Sequence, residues 1–213
     1  MQAGHSLPGL EPVTRDAGNS RGEPIDRWYV HEFLWSHRAD VRGHVLEVSD
    51  PGYTSYLGEG EVTRCDVVHP TPGNPNATFV GDLVTGENIP TETFDCVVMP
   101  QTLHLIYDIH AVVRTVHDAL MPGGVALATV PGIAPINRFD QGMWGEWWRF
   151  TADSARRLFA DVFGDKAVEV EAFGNVLVAT AFLYGYAVHE LTEAEVNHRD
   201  DDYHFLLGVR AVA

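Results

Sequence analysis

The sequence predicts an α/β domain with one doubly wound, mostly parallel sheet of seven strands and helices on both faces. Short apolar runs, typical of strands buried on both faces, alternate with stretches whose apolar residues recur at helical spacing. No internal repeat or domain-scale linker interrupts this alternation. The 213 residues suffice for one large domain and are marginal for two.

Seven apolar runs are the predicted strands, at residues 45–48, 62–67, 79–80, 94–99, 125–130, 168–171 and 205–212. Three stretches with helical periodicity are the predicted helices, at residues 26–37, 108–120 and 151–163. Asp108 and Thr151 can cap the second and third helices at their N-termini. Residues 121–124, Met-Pro-Gly-Gly, are expected to stop the second helix, because proline blocks continuation and glycine favours a left-handed cap.

The two ends of the chain have a different composition. Residues 1–24 are rich in Gly, Pro, Ser and charge, so we expect a mobile N-terminal arm before a folded domain at residues 25–213. Residues 193–204 are acidic and contain histidines, which is typical of a solvated loop. A metal site in that loop is an alternative, with candidate ligands His198, Asp200, Asp201, Asp202 and His204.

Charge and cysteine content limit the partners. Lysine and arginine total 14 against 30 acidic residues, a formal net charge of −16, which repels nucleic acids and anionic membranes. Small or neutral substrates fit better. No apolar run approaches the roughly 20 residues that span a bilayer. The N-terminus lacks the pattern of a signal peptide, and Cys65 and Cys96 lack zinc-site spacing. A cytoplasmic protein is therefore expected.

Several short motifs carry information through their order and spacing along the chain. They are Val45-Leu46-Glu47-Val48, Asp66 at the end of the second strand, Gly81-Asp82-Leu83, Gln101-Thr102-Leu103-His104, Leu120-Met121-Pro122-Gly123-Gly124 and Trp148-Arg149-Phe150-Thr151. Together they resemble the Rossmann-like class I S-adenosylmethionine-dependent methyltransferases over about residues 41–212. The resemblance implies S-adenosylmethionine as cofactor.

The cofactor is expected at the carboxyl edge of the sheet, where open α/β sheets bind their ligands. Asp66 is the candidate for the ribose hydroxyls, because a carboxylate can accept hydrogen bonds from a diol, and Asp82 for the adenine amino group. The first helix is a candidate lid over the cofactor. The full set of predicted cofactor-binding residues is Tyr29, Glu47, Ser49, Asp50, Asp66, Asp82, Leu83 and Gln101.

The first turn departs from the family pattern. It reads Ser49-Asp50-Pro51-Gly52-Tyr53, with other residues where glycines normally allow close approach of a ligand. This argues against a dinucleotide, whose pyrophosphate would be crowded. It also leaves open a module that keeps the fold while cofactor binding is altered or lost.

Methyl transfer to a hydroxyl needs a base or a metal to help remove the proton. His104, just beyond the fourth strand, is the first candidate for a base, and activity is then expected to rise through the ordinary histidine range near pH 6.5. A histidine that only fills the loop is the alternative. Glu146 is a second catalytic candidate, and Asp140 a weaker candidate for base or metal ligand. A requirement for Mg²⁺ stays open, and the residues that would bind it are unknown.

The connection after the fifth strand is the candidate acceptor wall. Trp144, Trp147 and Trp148 lie within five residues, mixed with hydrogen-bonding groups. Aromatic faces flanked by polar groups suit a sugar ring. The predicted substrate-binding residues are His31, Asp140, Trp144 and Trp147.

This region also resembles small bacterial sugar O-methyltransferases, including those of methylmannose polysaccharide pathways. The leading hypothesis is an O-methyltransferase acting on a hydroxyl of a sugar or oligosaccharide. The alternatives are a methyltransferase for a small aromatic or polyketide-like metabolite and a non-catalytic binding module. A homodimer also stays open.

Overall fold

The computed structural model describes residues 9–213 and contains one seven-stranded sheet, which confirms the predicted fold class. The strands in chain order are β1 Gly43–Val48, β2 Val62–His69, β3 Phe79–Val80, β4 Phe94–Pro100, β5 Leu120–Pro131, β6 Val168–Phe173 and β7 Leu206–Val212. Their order across the sheet is β3-β2-β1-β4-β5-β7-β6. Strands β1 to β5 pair in parallel, whereas β7 lies antiparallel to both β5 and β6.

Within residues 9–213 the α-helices are α1 Ile25–Ser36, α2 Gly52–Leu57, α3 Ile109–Ala119, α4 Arg138–Met143, α5 Ala152–Phe163, α6 Val176–Leu183 and α7 Glu193–Asn197. Helices α1, α3 and α5 confirm the three predicted helices. The side chain of Asp108 accepts the Ala111 amide hydrogen at the start of α3, and Thr151 and Ser154 form a reciprocal capping box at the start of α5. Both predicted caps are confirmed.

The helix stop is confirmed, and one local prediction needs correction. Helix α3 ends at Ala119, and β5 begins with Leu120, but residues 121–124 have no partner in β4, because Leu120 pairs with Phe94 and Val125 pairs with Cys96. Gly123 still takes the left-handed conformation, with a φ of 82°. The acidic stretch 193–204 is not wholly loop, because α7 occupies its first five residues, capped by Thr192.

The core has one layer on each face of the sheet. Leu46 and Val97 belong to a cluster that includes residues of α3 and α5. Their strand neighbours Val45 and Cys96 belong to a second cluster, with residues of α1 and α6. Successive residues of β1 and β4 thus face opposite layers, as expected for strands covered on both sides.

The described part of the N-terminal arm contacts the segment after α6. The amides of Val13 and Thr14 donate to the Tyr184 carbonyl, Arg21 forms an ion pair with Glu190, and Pro24 forms a β-bridge with Ala187. Residues 1–8 of the predicted arm lie outside the described residues. Among residues 9–213, no helix is long and apolar enough to cross a membrane.

Candidate active site

A cavity of about 680 Å³ opens at the carboxyl edge of the parallel strands. Its lining includes residues at or just beyond the ends of β1, β3, β4 and β5. Strand β1 has β2 on one side and β4 on the other. The connections from β1 and β4 therefore leave in opposite directions, which is where doubly wound sheets bind ligands.

The turn after β1 is held by a buried carboxylate. Glu47 is 1% exposed, and its two oxygens accept the amide hydrogens of Tyr53 at 3.0 Å and Thr54 at 2.7 Å. Burial raises the pKa of Glu47 despite these bonds. Ser49 adopts a φ of 78° in this turn, a conformation more usual for glycine. The backbone therefore makes the tight turn without glycines at the expected positions.

Six of the eight predicted cofactor-binding residues line this cavity. They are Glu47, Ser49, Asp50, Asp82, Leu83 and Gln101. The Asp82 side chain accepts the Val84 amide hydrogen at 2.7 Å, which stabilises the turn after β3. Gln101 has a φ of 48°, and its amide donates to the Thr129 carbonyl, which fixes the loop after β4 against β5. The structure thus brings together residues that are far apart in the sequence.

Asp66 does not line the cavity, so its predicted role is corrected. Strand β2 runs on to His69, and Asp66 therefore lies inside the strand, not at its end. Its buried carboxylate pairs with His44 at 2.7 Å and Arg64 at 2.9 Å. The predicted strand ends at Val67, directly after Asp66, whereas β2 continues through Val68 to His69. His69 and Pro70 occupy the strand end instead, and Pro70 lines the cavity.

Tyr29 and His31 are also corrected, because neither lines the cavity. Tyr29 is 2% exposed, packs against Phe173 and Phe205, and donates its hydroxyl hydrogen to the Val196 carbonyl. The ring of His31 contacts the rings of Tyr53 and Tyr56.

The side of α1 that faces the cavity carries other residues. Asp26, Arg27 and Val30 line the cavity, together with Ala17, Asn19 and Pro24 of the preceding arm. These residues are absent from the predicted site, which takes Tyr29 and His31 from α1 for their residue type. The signal available in the sequence was the helical spacing of Asp26 and Val30, which places them on one face.

His104 lines the cavity and is 8% exposed. Its ring nitrogen Nδ1 is buried and makes no hydrogen bond within residues 9–213. Burial, and secondarily the charge of Arg149, lower the pKa of His104 to about 4. The imidazole is therefore neutral at physiological pH, and the expectation that it titrates near pH 6.5 is corrected.

Glu146 anchors the connection after β5. Its side chain is 3% exposed and pairs with Arg149 at 2.6 Å, while its second oxygen accepts the Asn137 amide hydrogen at 2.8 Å. Both oxygens are thus engaged by this chain. Asp140 accepts a hydrogen bond from the Asn137 side chain at 2.6 Å, and burial together with nearby Glu146 raises its pKa.

Two of the three clustered tryptophans line the cavity. Trp144 lies against the ring of His69, with ring centroids 5.7 Å apart, so the connection after β5 reaches across to the end of β2. Trp147 is 54% exposed and meets the ring of Tyr107 at 5.1 Å. Trp148 does not line the cavity, and it donates its indole hydrogen to the carbonyls of Ile106 and Tyr107.

The cavity lining is strongly acidic. It contains six carboxylates, from Asp26, Glu47, Asp50, Asp82, Asp140 and Glu146. S-adenosylmethionine carries an ammonium, a sulfonium and one carboxylate, so the acidic lining matches its net positive charge. The volume also falls within the range of about 300–1,000 Å³ typical of cofactor sites. The residues present therefore fit this cofactor.

The described residues do not form an evident metal centre. Within residues 9–213, no group of three or more His, Cys, Asp or Glu side chains is arranged to hold a metal ion. This covers the acidic stretch after α6, where His198 and Asp200 were candidate ligands.

Comparison with solved structures finds the same fold in other methyltransferases. An S-adenosylmethionine-dependent methyltransferase from Archaeoglobus fulgidus has a TM-score of 0.58 and 10% identity, covering 88% of this chain and 94% of that one. One from Mesorhizobium loti has a TM-score of 0.56 and 16% identity, covering 89% and 98%. Phosphoethanolamine N-methyltransferase 2 of Haemonchus contortus, in complex with S-adenosyl-L-methionine, has a TM-score of 0.55 and 14% identity, covering 94% and 60%.

At these identities the similarity shows the fold alone. Among curated proteins, none matches the sequence. The family described as a methyltransferase domain matches residues 4–167, more than half of the chain. The family match, the strand order and the cavity at the strand ends agree, and the chain belongs to the class I S-adenosylmethionine-dependent methyltransferases.

Proposed function

We propose that this methyltransferase transfers its methyl group to a hydroxyl of a sugar or oligosaccharide. The observation that carries this proposal is the cavity wall formed by Trp144, Trp147 and Asp140. Flat aromatic faces suit the C–H faces of a sugar ring, and a carboxylate accepts hydrogen bonds from its hydroxyls. The same cavity contains the candidate cofactor residues after β1 and β3.

Bound S-adenosylmethionine supplies an electrophilic methyl group. The chain's own residues must orient the acceptor and exclude water. We propose that His104, neutral at physiological pH, accepts a hydrogen bond from the acceptor hydroxyl and orients its oxygen toward the methyl group. The hydroxyl proton is released to solvent after the methyl group has been transferred. Glu146 contributes by holding Asn137 and Arg149, which supports the wall that carries Asp140.

The acidic lining also favours certain acceptors. Asp140 lies on the acceptor side without an ion pair in residues 9–213, and its carboxylate would repel a phosphate or carboxylate on the acceptor. We therefore expect a neutral sugar in preference to a sugar phosphate or an acidic sugar.

Amine N-methylation is a second candidate, favoured by the same wall. An alkylammonium group can be held over an aromatic face and paired with a carboxylate, and Trp144, Trp147 and Asp140 supply both. A small aromatic metabolite would stack on the tryptophans and would not need the carboxylate.

A non-catalytic module would transfer no methyl group, whether it binds the cofactor alone or binds neither the cofactor nor an acceptor.

The test is a methyl-transfer assay with isotopically labelled S-adenosylmethionine and four acceptor panels: neutral sugars, sugar phosphates, alkylamines and phenols. Each panel is run with Mg²⁺ and with EDTA, because a metal supplied from solution remains part of the hypothesis. Transfer to neutral sugars and not to their phosphates is expected. Transfer only to amines or phenols would replace the sugar assignment, and no transfer to any panel would favour the binding module.

Tryptophan variants give this assay a site-specific control. Trp144→Ala and Trp147→Ala are expected to raise the acceptor KM about tenfold or more, within the range of ring-stacking contributions, with little change in cofactor affinity. Trp35→Ala removes an exposed tryptophan outside the cavity and should leave both constants unchanged. Equal effects of all three variants would contradict the acceptor wall.

A further inference from the structure

The cavity contains a marked charge imbalance. Its lining has six carboxylates, of which Glu146 is paired with Arg149 outside the lining, and within residues 9–213 Arg27 is the one arginine or lysine in the lining itself. The other basic side chain, His104, is neutral at physiological pH because its pKa is about 4. The cavity therefore offers one fixed positive charge to a ligand.

The Arg27 guanidinium keeps hydrogen-bond donors that the neighbouring carboxylates do not engage. Its guanidinium donates to the hydroxyl of Tyr53 at 2.6 Å and lies 5.8 Å from the centroid of that ring. Neighbouring Asp26 accepts the backbone amide hydrogen of Arg27, at 2.9 Å. The guanidinium of Arg27 forms no ion pair with any residue in the described part of the chain. Most of its five N–H donors are left for another acceptor.

We infer that the Arg27 guanidinium, oriented by the Tyr53 hydroxyl, binds the α-carboxylate of S-adenosylmethionine. That carboxylate is the cofactor's single anionic group, and in this cavity Arg27 is its single complementary charge. A guanidinium can bind a carboxylate through two parallel hydrogen bonds. The inference rests on this cavity being the cofactor site and is independent of the acceptor.

The position of Tyr53 supports the same assignment. Tyr53 follows the turn after β1, next to the carboxyl end of that strand, and Arg27 reaches it from the start of α1. Asp82 and Leu83, the candidate adenine contacts, follow β3 at the outer edge of the sheet. The amino-acid end of the cofactor would thus lie near Arg27 when the adenine lies near Asp82.

This pair also accounts for the unusual first turn. Where glycines would let backbone amides approach the cofactor, the chain has Ser49, Pro51 and Tyr53. Two side chains, Arg27 and Tyr53, replace that backbone contact. The turn is therefore compatible with tight cofactor binding.

The test is calorimetric titration of wild type, Arg27→Gln and Arg27→Lys with two ligands. One ligand is S-adenosylhomocysteine, and the other is its analogue that lacks only the carboxylate, 5′-deoxy-5′-(3-aminopropylthio)adenosine. Arg27→Gln should weaken S-adenosylhomocysteine binding about ten- to a hundredfold, as expected for loss of charge-assisted hydrogen bonds. The affinity of Arg27→Gln for the analogue should differ less than threefold from that of wild type. Arg27→Lys, which keeps the charge and loses the fork geometry, should fall between wild type and Arg27→Gln.

Two further variants separate the assignment from a structural effect. Tyr53→Phe should weaken binding of the carboxylate-containing ligand only, and by less than Arg27→Gln. Arg38→Gln is the control, because Arg38 lies over the Trp35 ring outside the cavity. An equal loss for both ligands in Arg27→Gln, or no loss for either, would overturn the inference. Absence of any binding to wild type would overturn the cofactor site itself.

Discussion

His104 shows how one residue's surroundings determine its chemistry. In the sequence it is a histidine after a strand, with an ordinary pKa. In the fold its ring is enclosed, Nδ1 has no partner among the described residues, and Arg149 lies close enough to disfavour protonation. Because Nδ1 is buried, an acceptor hydroxyl can reach only the part of the ring that lines the cavity. The low pKa keeps the imidazole neutral and makes it a weak base, so in the proposed mechanism His104 orients the hydroxyl.

The low pKa of His104 has a consequence for stability. As the pH falls, the unfolded chain takes up the proton near pH 6.5, whereas the folded protein does so only near pH 4. The folded state therefore loses stability across that window, by roughly 3 kcal/mol for this group. Urea unfolding is measured for wild type and His104→Gln from pH 8 to pH 4. Below pH 6.5 the free energy of unfolding of the variant should rise relative to that of wild type. His110→Gln, an exposed site on α3, is the control. Parallel curves for wild type and His104→Gln would contradict the assigned pKa.

Asp66 illustrates the opposite case, in which a residue with suitable chemistry lies in the wrong place. Its carboxylate is buried within β2 and bound to His44 and Arg64. Asp66→Asn should lower the free energy of unfolding by about 1–3 kcal/mol, because charge-assisted bonds at a buried site are weakened. Cofactor affinity, measured by the same titration with S-adenosylhomocysteine, should stay within about twofold. A tenfold loss of affinity in a folded variant would restore the ribose assignment.

At the scale of elements, the sequence predicted those helices that are long enough for their apolar residues to show a helical period. Helices α1, α3 and α5 have eleven or twelve residues each and an amphipathic pattern or a cap. Helices α2, α4 and α7 have five or six residues, too few to establish a helical period. Helix α6, with the sequence VLVATAFL, is apolar on most sides and gives no polar face to detect.

The candidate site was predictable to the extent that it follows strand ends. The predicted cofactor residues at the ends of β1, β3 and β4 line the cavity, and their contacts with the cofactor stay a prediction. Asp66 lies inside its strand because β2 continues to His69. Helical spacing places Asp26 and Val30 on one face of α1, but which face meets the cavity depends on how α1 packs across the sheet.

The α5 capping box allows a direct test of the local structure. The Thr151 side chain accepts the Ser154 amide hydrogen, and Ser154 in turn accepts the Thr151 amide hydrogen. Thr151→Ala should lower the free energy of unfolding by about 1 kcal/mol, measured by urea denaturation. Thr91→Ala, at an exposed position outside helices and strands, should change it much less. Equal effects would mean that the cap contributes nothing specific.

At the scale of the whole molecule, sheet order and net charge together define the site. The sheet places the ends of β1 and β4 beside each other, and residues from the connections after β1, β2, β3, β4 and β5 line the cavity above them. The excess of acidic residues over the chain continues into this cavity, where it favours a cofactor with net positive charge. The N-terminal arm, attached at Tyr184 and Ala187, supplies Ala17 and Asn19 to the lining. We propose that the arm is thereby part of the cofactor site.

The central claim is that this cavity holds S-adenosylmethionine, and the most direct measurement is calorimetric titration of the wild-type protein with S-adenosylhomocysteine. The account predicts saturable binding of one ligand per chain with a micromolar dissociation constant, weakened by added salt because the contacts are charged. Absence of binding at millimolar ligand would contradict it and would leave a methyltransferase fold without its cofactor.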